Sequence, residues 1–331
     1  MKVSRLCDST KYRLKSILPD SVWTILARNF QKKREKDFSE HNIFRPQGRA
    51  LPRIYVIRRR PPGGGLFSNV NHVLQGIEYA NENGLTPVVD MQNYWTSYSQ
   101  QKTFHNTNNA WEYFFEPISK FKVDDIATFQ NVTLSKGDRI KSSSPLADRG
   151  LKFVLNKNLL REIHELYAQN IRLNAPTLDF LNRVKEFLEW DINSIGVSYR
   201  GTDYVSTQPT GHAKQPSLPQ LISMIEKKRE KFLNDRLFVA TEDVHAKKVI
   251  LQTDFHSVYK DFRDESTLRK FISNGHSASK QVLNSLGYLA EVYLLSECRT
   301  ITCSIANGSA TSLVINGGRY IEPDIIDLGT Y

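Results

Sequence analysis

Twice along this chain a short β-branched run gives way to a polar or glycine-rich loop and then to apolar residues at helical spacing. The first series opens with Arg53-Ile54-Tyr55-Val56-Ile57 and turns through Pro61-Pro62-Gly63-Gly64-Gly65. It continues as Val70, Val73, Leu74, Ile77 and Ala80, and after Gly84 a second run follows, Thr86-Pro87-Val88-Val89-Asp90. Branched and aromatic side chains suit a pleated strand, glycine lets the backbone turn sharply, and helical spacing leaves one apolar face. The second series starts with a strand over 194–199 and a loop containing Pro209, Gly211, His212 and Pro216. A helix near 218–232, the strand Leu237-Phe238-Val239-Ala240, a short helix and strand, a long helix near 279–297, the strand Arg299–Cys303 and a final helix complete it. Alternation of this kind predicts parallel sheets covered by helices. The expected fold class is therefore α/β, with two Rossmann-like domains whose parallel sheets face a central cleft.

Between the two series, residues 95–144 show weak periodicity and several aromatics, and are read as the irregular remainder of the first domain. Helical patterns at about 156–172 and 176–189 form the crossing. Three parts result: a basic helical segment over 1–50, an acceptor domain with the crossing helices over 51–189, and a donor domain over 190–331. At 331 residues and 40% hydrophobic, the chain is long enough for two cores.

Charge and cysteines narrow the class. Residues 1–60 hold 16 basic and 5 acidic side chains, a net of +11, which leaves −1 for the rest of a chain whose total is +10. The body is neutral and the basicity belongs to the amino-terminal segment, where nucleic-acid binding is a competing functional reading; the expected partners do not include nucleic acid. The basic stretch carries Leu14, Ile17, Leu18, Val22, Trp23, Ile25 and Leu26, and reads either as a helix packed on the body or as a peripheral contact with an anionic membrane. No apolar run reaches the roughly 20 residues that span a bilayer, and no signal-peptide pattern opens the chain. Cys7, Cys298 and Cys303 make neither a disulfide framework nor a metal-binding pair. The expectation is a cytoplasmic protein, peripheral at most on the inner face of the membrane, without cofactor or metal.

The chemistry-bearing residues cluster where strands end. In open α/β sheets ligands sit beyond the carboxyl ends of the strands. Arg200 stands there, followed by Gly201 and Asp203, and its planar fork suits a phosphate; the plainer reading is a surface Arg–Asp pair. Gly64 and Gly65 open a helix whose amides could hold an anion, and Asn69, Asn71 and His72 follow, where one asparagine would suffice as a cap. His212 is a base, a phosphate donor or a surface residue. Glu242 and Asp243 end the next strand and either meet a nucleoside or cap the following helix. Glu291, within the apolar stretch Leu286–Leu295, needs a partner or ligand if buried. The turn Ser304-Ile305-Ala306-Asn307-Gly308-Ser309, with Ala310 after it, could hold a diphosphate on its amides.

In order, these segments resemble the α1,6-fucosyltransferases and the protein O-fucosyltransferases. Gly65–His72 looks like the amino-domain motif of the latter, in which an asparagine lies at the catalytic centre. Ile195–Val205 is similar to the first carboxyl-domain motif, with Arg200 at the arginine that grips the β-phosphate. Phe238–Asp243, the long helix with Glu291, and Ser304–Ser309 match the segments that follow. The resemblance covers about 60–90 and 190–315. Departures are specific: Gly201 replaces a second arginine, Ser198 a histidine, Tyr204 a lysine, and Glu291 an aspartate, while Gln208 stands where the α1,6 branch has a glutamate.

What the resemblance implies is an inverting, metal-independent transferase of the GT-B fold. It would move fucose from GDP-fucose to a saccharide acceptor in surface polysaccharide (O-antigen or capsule) synthesis. Arg200, Asn69, His72, Asp203 and His212 would be catalytic. Gly64, Gly65, Asp243, Glu291, Ser304, Asn307, Gly308, Ser309 and Ala310 would join Arg200 on the donor, and Trp111 and Tyr113 would stack on the acceptor. The base is left open among His212, Asp203 and a substrate-assisted route. Another nucleotide sugar, or a non-catalytic nucleotide- or glycan-binding protein, are the alternatives.

Overall fold

The structure, a computed structural model, describes residues 38–137, 140, 150–208, 210–233, 236–252, 257–272 and 277–331. Residues 1–37, which carry most of the basic segment, lie outside it. The first sheet contains β1 (His41–Phe44), β2 (Ile54–Ile57), β3 (Thr86–Val89) and β4 (Asn131–Leu134), in the order β1-β4-β2-β3. β2 runs parallel to β3 and β4, and β1 closes the edge antiparallel to β4. β2 is buried along its whole length, and its alternation divides it between two cores. Tyr55 and Ile57 join the main cluster, whereas Ile54 and Val56 pack with Val88, Phe129 and Val132. Helix α1 (Leu66–Glu82) covers the first of these faces, burying Leu66, Phe67, Val70, Val73, Leu74 and Ile77.

Two strands of this sheet escaped the sequence reading, as did the last strand of the second sheet, which follows the helix read as final. β1 lies within the segment read as basic and helical, and β4 in the section taken as irregular. Each is four residues long, and β1 is mostly exposed, so neither carries the buried apolar run that marked β2. The aromatics before β4 are core. Trp111, Tyr113, Phe114 and Phe115 are each at most 1% exposed, and Trp111 stacks on Phe115 at 4.4 Å while its Nε1 donates to the Glu116 carbonyl. Trp111 and Tyr113 therefore have no open face for an acceptor sugar. Their stacking role is corrected to packing.

The second sheet is wholly parallel: β5 (Ile195–Tyr199), β6 (Arg236–Thr241), β7 (Ser257–Val258), β8 (Thr300–Ser304) and β9 (Asp324–Ile326), in the order β7-β6-β5-β8-β9. From β5 the chain winds outward through β6 to β7, then returns to the other side of β5 and continues outward through β8 to β9. The winding reverses between β5 and β8, which leaves an uncovered crevice at their carboxyl ends.

The crossing helices α2 (Lys157–Asn170) and α3 (Ala175–Leu188) lie against the helices of this second sheet. Short α4 (Thr202–Ser206), α5 (Leu218–Phe232), α6 (Val244–Gln252) and α7 (Glu265–Lys270) lead to the long α8 (Lys280–Glu297) and to α9 (Asn307–Asn316). The Tyr167 and Tyr293 hydroxyls meet at 2.6 Å, His164 Nδ1 donates to the Val314 carbonyl at 2.7 Å, and Lys185 pairs with Glu297. The main hydrophobic cluster accordingly runs from β2 and α1 through α2 and α3 to α8 and α9.

Truncating Trp111 to alanine should cost about 3–5 kcal/mol of unfolding free energy, as for other buried aromatics. Urea melts followed by circular dichroism measure it; a loss under about 1 kcal/mol would place the ring at a surface.

Candidate functional site

Arg200 follows the last residue of β5, and Ser304 ends β8, so both stand at the crevice. Gln215, which the sequence reading passed over, joins them: its Oε1 accepts from Arg200 N at 3.3 Å and from Ser304 Oγ, while its Nε2 donates to the Ala213 carbonyl. The crevice opens into a cavity of about 280 Å³ lined by Arg200, Thr241, Glu242, Arg263, Tyr288, Glu291, Gly308 and Ser309, together with Gly65 and Leu66 at the start of α1.

Two arginine–carboxylate pairs line this cavity. Arg200 Nε lies 3.4 Å from Glu242 Oε1, with both side chains about one-third exposed, and its guanidinium sits 5.4 Å from the centre of the Tyr204 ring. Arg263 Nη1 donates to Glu291 Oε2, whose side chain is 7% exposed. Burial pushes the Glu291 carboxyl up from 4.5 to about 7, against the pull of Arg263. Burial likewise raises the Tyr288 hydroxyl, with Arg200 opposing, so this group stays protonated as a donor.

Of the two acids ending β6, Glu242 is the one in the cavity. Asp243 accepts from His245 N and Ala246 N at 2.8 and 3.0 Å, capping α6, so its donor-binding role is corrected to a structural one. The same cap explains Gly201. A Cβ there would fall 2.0 Å from Asp243 Oδ2, leaving no room for the arginine that the resembling family carries. Gly308 is equally constrained, since a Cβ would sit 2.2 Å from the Tyr288 hydroxyl.

The turn into α9 divides its residues by role. Ser309 Oγ accepts from Ala306 N and donates to the Ser304 carbonyl, fixing the turn from inside. Ala310 N already donates to the Ala306 carbonyl and is buried, so its assignment to the donor is withdrawn. The helical ladder begins there, and the amides of Asn307, Gly308 and Ser309 stand ahead of it at the positive end of the helix. Asn307 turns its side chain the other way, accepting from Asn71 Nδ2 at 2.9 Å across the two halves of the chain.

Asn69 is fully buried and engaged within its own loop. Its Oδ1 accepts from Arg59 Nη1 at 2.8 Å, and its Nδ2 donates to the Gly64 carbonyl and the Tyr98 hydroxyl. It lines neither this cavity nor the larger one beyond the α9 turn, and neither does Gly64, whose Cβ would strike Ser68. Asn69 thus shapes the glycine loop. His72 and His212 line a second, larger cavity of about 870 Å³ on the other side of the α9 turn. His72 Nε2 donates to the Arg58 carbonyl at 3.0 Å; burial, then the charge of Arg59, lowers its pKa to about 4, so it is neutral at physiological pH. His212 is exposed, with its ring 4.9 Å from that of Tyr204. The side chain of Asp203 lies outside the described residues. Among those residues no group of three or more His, Cys, Asp or Glu side chains is placed to hold a metal ion, and no helix is long and apolar enough to cross a membrane.

The raised Glu291 pKa has a consequence for stability. The folded state holds this proton more tightly than the unfolded chain, so its contribution is complete below pH 4.5 and is lost as pH rises through about 7. Between those values the wild type should lose on the order of 2 kcal/mol more than Glu291→Gln in parallel urea melts. Identical slopes for the two proteins would show a carboxyl with an ordinary pKa.

No protein-family model and no curated protein matches the chain. Its fold is similar to several solved structures. One is the NodZ α-1,6-fucosyltransferase soaked with GDP-fucose, at 19% identity over 80% of this chain and 92% of that one, with a TM-score of 0.45. The fucosyltransferase NodZ from Bradyrhizobium gives 18%, 80%, 92% and 0.46 in the same order. POFUT1 in complex with GDP-fucose gives 11% identity over 86% of this chain and 99% of that one, with a TM-score of 0.46.

Proposed function

We propose that this chain is a glycosyltransferase of GT-B architecture that transfers fucose from GDP-fucose to a saccharide acceptor, with inversion and without a metal. The observation that carries the reading is one small cavity holding three complementary elements at the switch point between β5 and β8. These are the guanidinium of Arg200, the open amide end of α9, and the Arg263–Glu291 pair.

Each element suits one part of the donor. Arg200 and the amides of Gly308 and Ser309 form a cradle for a diphosphate. The Arg263–Glu291 pair presents donors beside a carboxylate, the complement of guanine, whose O6 and N7 accept while N1 and N2 donate. As the C1–O bond to the β-phosphate breaks, negative charge collects on GDP and is held by Arg200 and the helix end. An acceptor hydroxyl oxygen bonds to C1 from the opposite face, and its proton passes to a base. His212, which lines the larger cavity, is the base in this reading, with Asp203 and a substrate-assisted route as the alternatives. The motif resemblance over residues 60–90 and 190–315 supports fucose as the sugar, and surface polysaccharide synthesis as the setting. A cytoplasmic location, peripheral to the membrane through residues 1–50, belongs to the same proposal.

Calorimetry of GDP, UDP, CMP and ADP should show GDP binding tightest. Its affinity should fall as pH drops below about 7, where Glu291 takes a proton and ceases to accept from the base. Arg200→Ala should lower transfer from GDP-fucose by about a hundredfold or more. Preference for another nucleotide would remove the guanine assignment, and a fully active Arg200→Ala enzyme would remove the phosphate assignment.

A further inference from the structure

Gly287 stands in the interior of α8, one turn before Glu291 on the same helix face. Glycine is a poor residue for a helix interior, because it loses the most conformational freedom on folding. What it leaves room for here is Arg263. A Cβ at position 287 would fall 2.7 Å from Arg263 Nε and 2.9 Å from its Cδ, inside contact distance, and 3.4 Å from Leu268 Cδ1, an ordinary contact. The arginine thus lies across the bare turn of α8, and its Nη1 donates to the Glu291 carboxylate. The root of Arg263 is fixed separately: its backbone N donates to Asp261 Oδ1 at 3.0 Å, and Lys247 of α6 pairs with Asp261 Oδ2 at 2.6 Å. Between those two fixed ends the side chain crosses position 287. Gly287 itself is buried and does not line the donor cavity, whereas Arg263 and Glu291 do.

We infer that Gly287 is a positioning residue for nucleobase selectivity, its missing side chain seating Arg263 against Glu291 in the donor cavity. The inference rests on the guanine reading above and adds the backbone position on which that reading depends. Exposure decides which group would yield to a side chain at 287. Leu268 is fully buried, whereas the Arg263 side chain is 29% exposed and can swing toward solvent. The guanidinium would then leave Glu291, removing a donor from the base site and leaving the buried carboxylate without it. Arg200 and the amide end of α9 belong to other segments, so the diphosphate cradle would stay intact.

The test is calorimetry of the full chain with GDP and UDP, which share the diphosphate and differ in the base. It compares the wild type, Gly287→Ala, Arg263→Ala and the double variant at about pH 8, above the Glu291 pKa of about 7. Gly287→Ala should lose about tenfold or more in GDP affinity, the scale of a hydrogen bond to a charged group, with UDP affinity unchanged. The double variant should bind GDP no more weakly than Arg263→Ala, because both substitutions remove one interaction. At about pH 5, where Glu291 holds its proton, the urea midpoint of Gly287→Ala should be no lower than that of the wild type, since alanine favours the helix. A Gly287→Ala protein with the wild-type ratio of GDP to UDP affinity, a loss that adds to that of Arg263→Ala, or a lowered midpoint would each overturn the inference. A wild type without preference for GDP would instead remove the guanine assignment, a failure visible before any substitution is made.

Discussion

The structure depends on the adjacency of two parallel strands, β5 and β8, whose connections leave in opposite directions. Because neither connection crosses their carboxyl ends, Arg200 and Ser304 face open space side by side. Gln215 converts that adjacency into fixed geometry by accepting from both. One amide therefore ties the Arg200 backbone to the end of β8 that leads into α9. Without that tie the two anion-binding elements would belong to separate loops, and preorganisation toward a diphosphate would be lost.

Magnitudes separate the two arginine–carboxylate pairs that line the smaller cavity. Arg200 and Glu242 are each about one-third exposed at 3.4 Å, and a pair of this kind stabilises by about 0–1 kcal/mol. A diphosphate offering two or more charge-assisted hydrogen bonds outcompetes it easily. Glu291 differs, being buried and held to Arg263, where loss of the partner would leave a charge in a poorly solvated site. On the proposed function, the exposed pair would yield its arginine to the diphosphate, while the buried pair would persist and read the base. The same contrast explains why the raised pKa falls on Glu291, whose burial disfavours the ionised form.

The sequence made the parallel α/β class legible because β2, β5 and β8 are short, β-branched and buried on both faces. It pointed to Arg200, Glu291 and the Ser304–Ser309 turn because each breaks an apolar pattern at a strand end or in a helix. β1 and β4 were hidden because an exposed or half-buried strand of four residues carries no apolar run. Trp111 and Tyr113 misled for the opposite reason: aromatic clusters suit a sugar platform and a core equally, and only burial separates the two. Asp243 and Glu242 could not be told apart in a sequence, since either acid can cap α6. Gln215 and Arg263 were missed because the partners that matter, Ser304 and Glu291, are distant in the chain, and no local spacing announces them; Asn71 stood out locally, but its partner Asn307 did not.

The wall between the two cavities is thin, and its construction bears on the order of events. Ile305 and Asn307 line the larger cavity, Ala306 and Gly308 the smaller, so successive residues of one turn face opposite sites. Asn71 holds Asn307 from one side, and the edge-to-face contact of Phe67 with Tyr288, at 5.1 Å, braces the helix behind it. On the proposed function, a wall fixed from both halves of the chain would keep acceptor and donor at constant separation, which in-line attack on C1 requires. Arg200, Tyr204 and His212 form the bridge around that wall, with the guanidinium 5.4 Å from the tyrosine ring and the imidazole 4.9 Å from it. In the proposed reaction, charge leaving on the phosphate side and the proton leaving on the acceptor side would be handled by neighbours on one segment. Displacement of Tyr204 would disturb both at once.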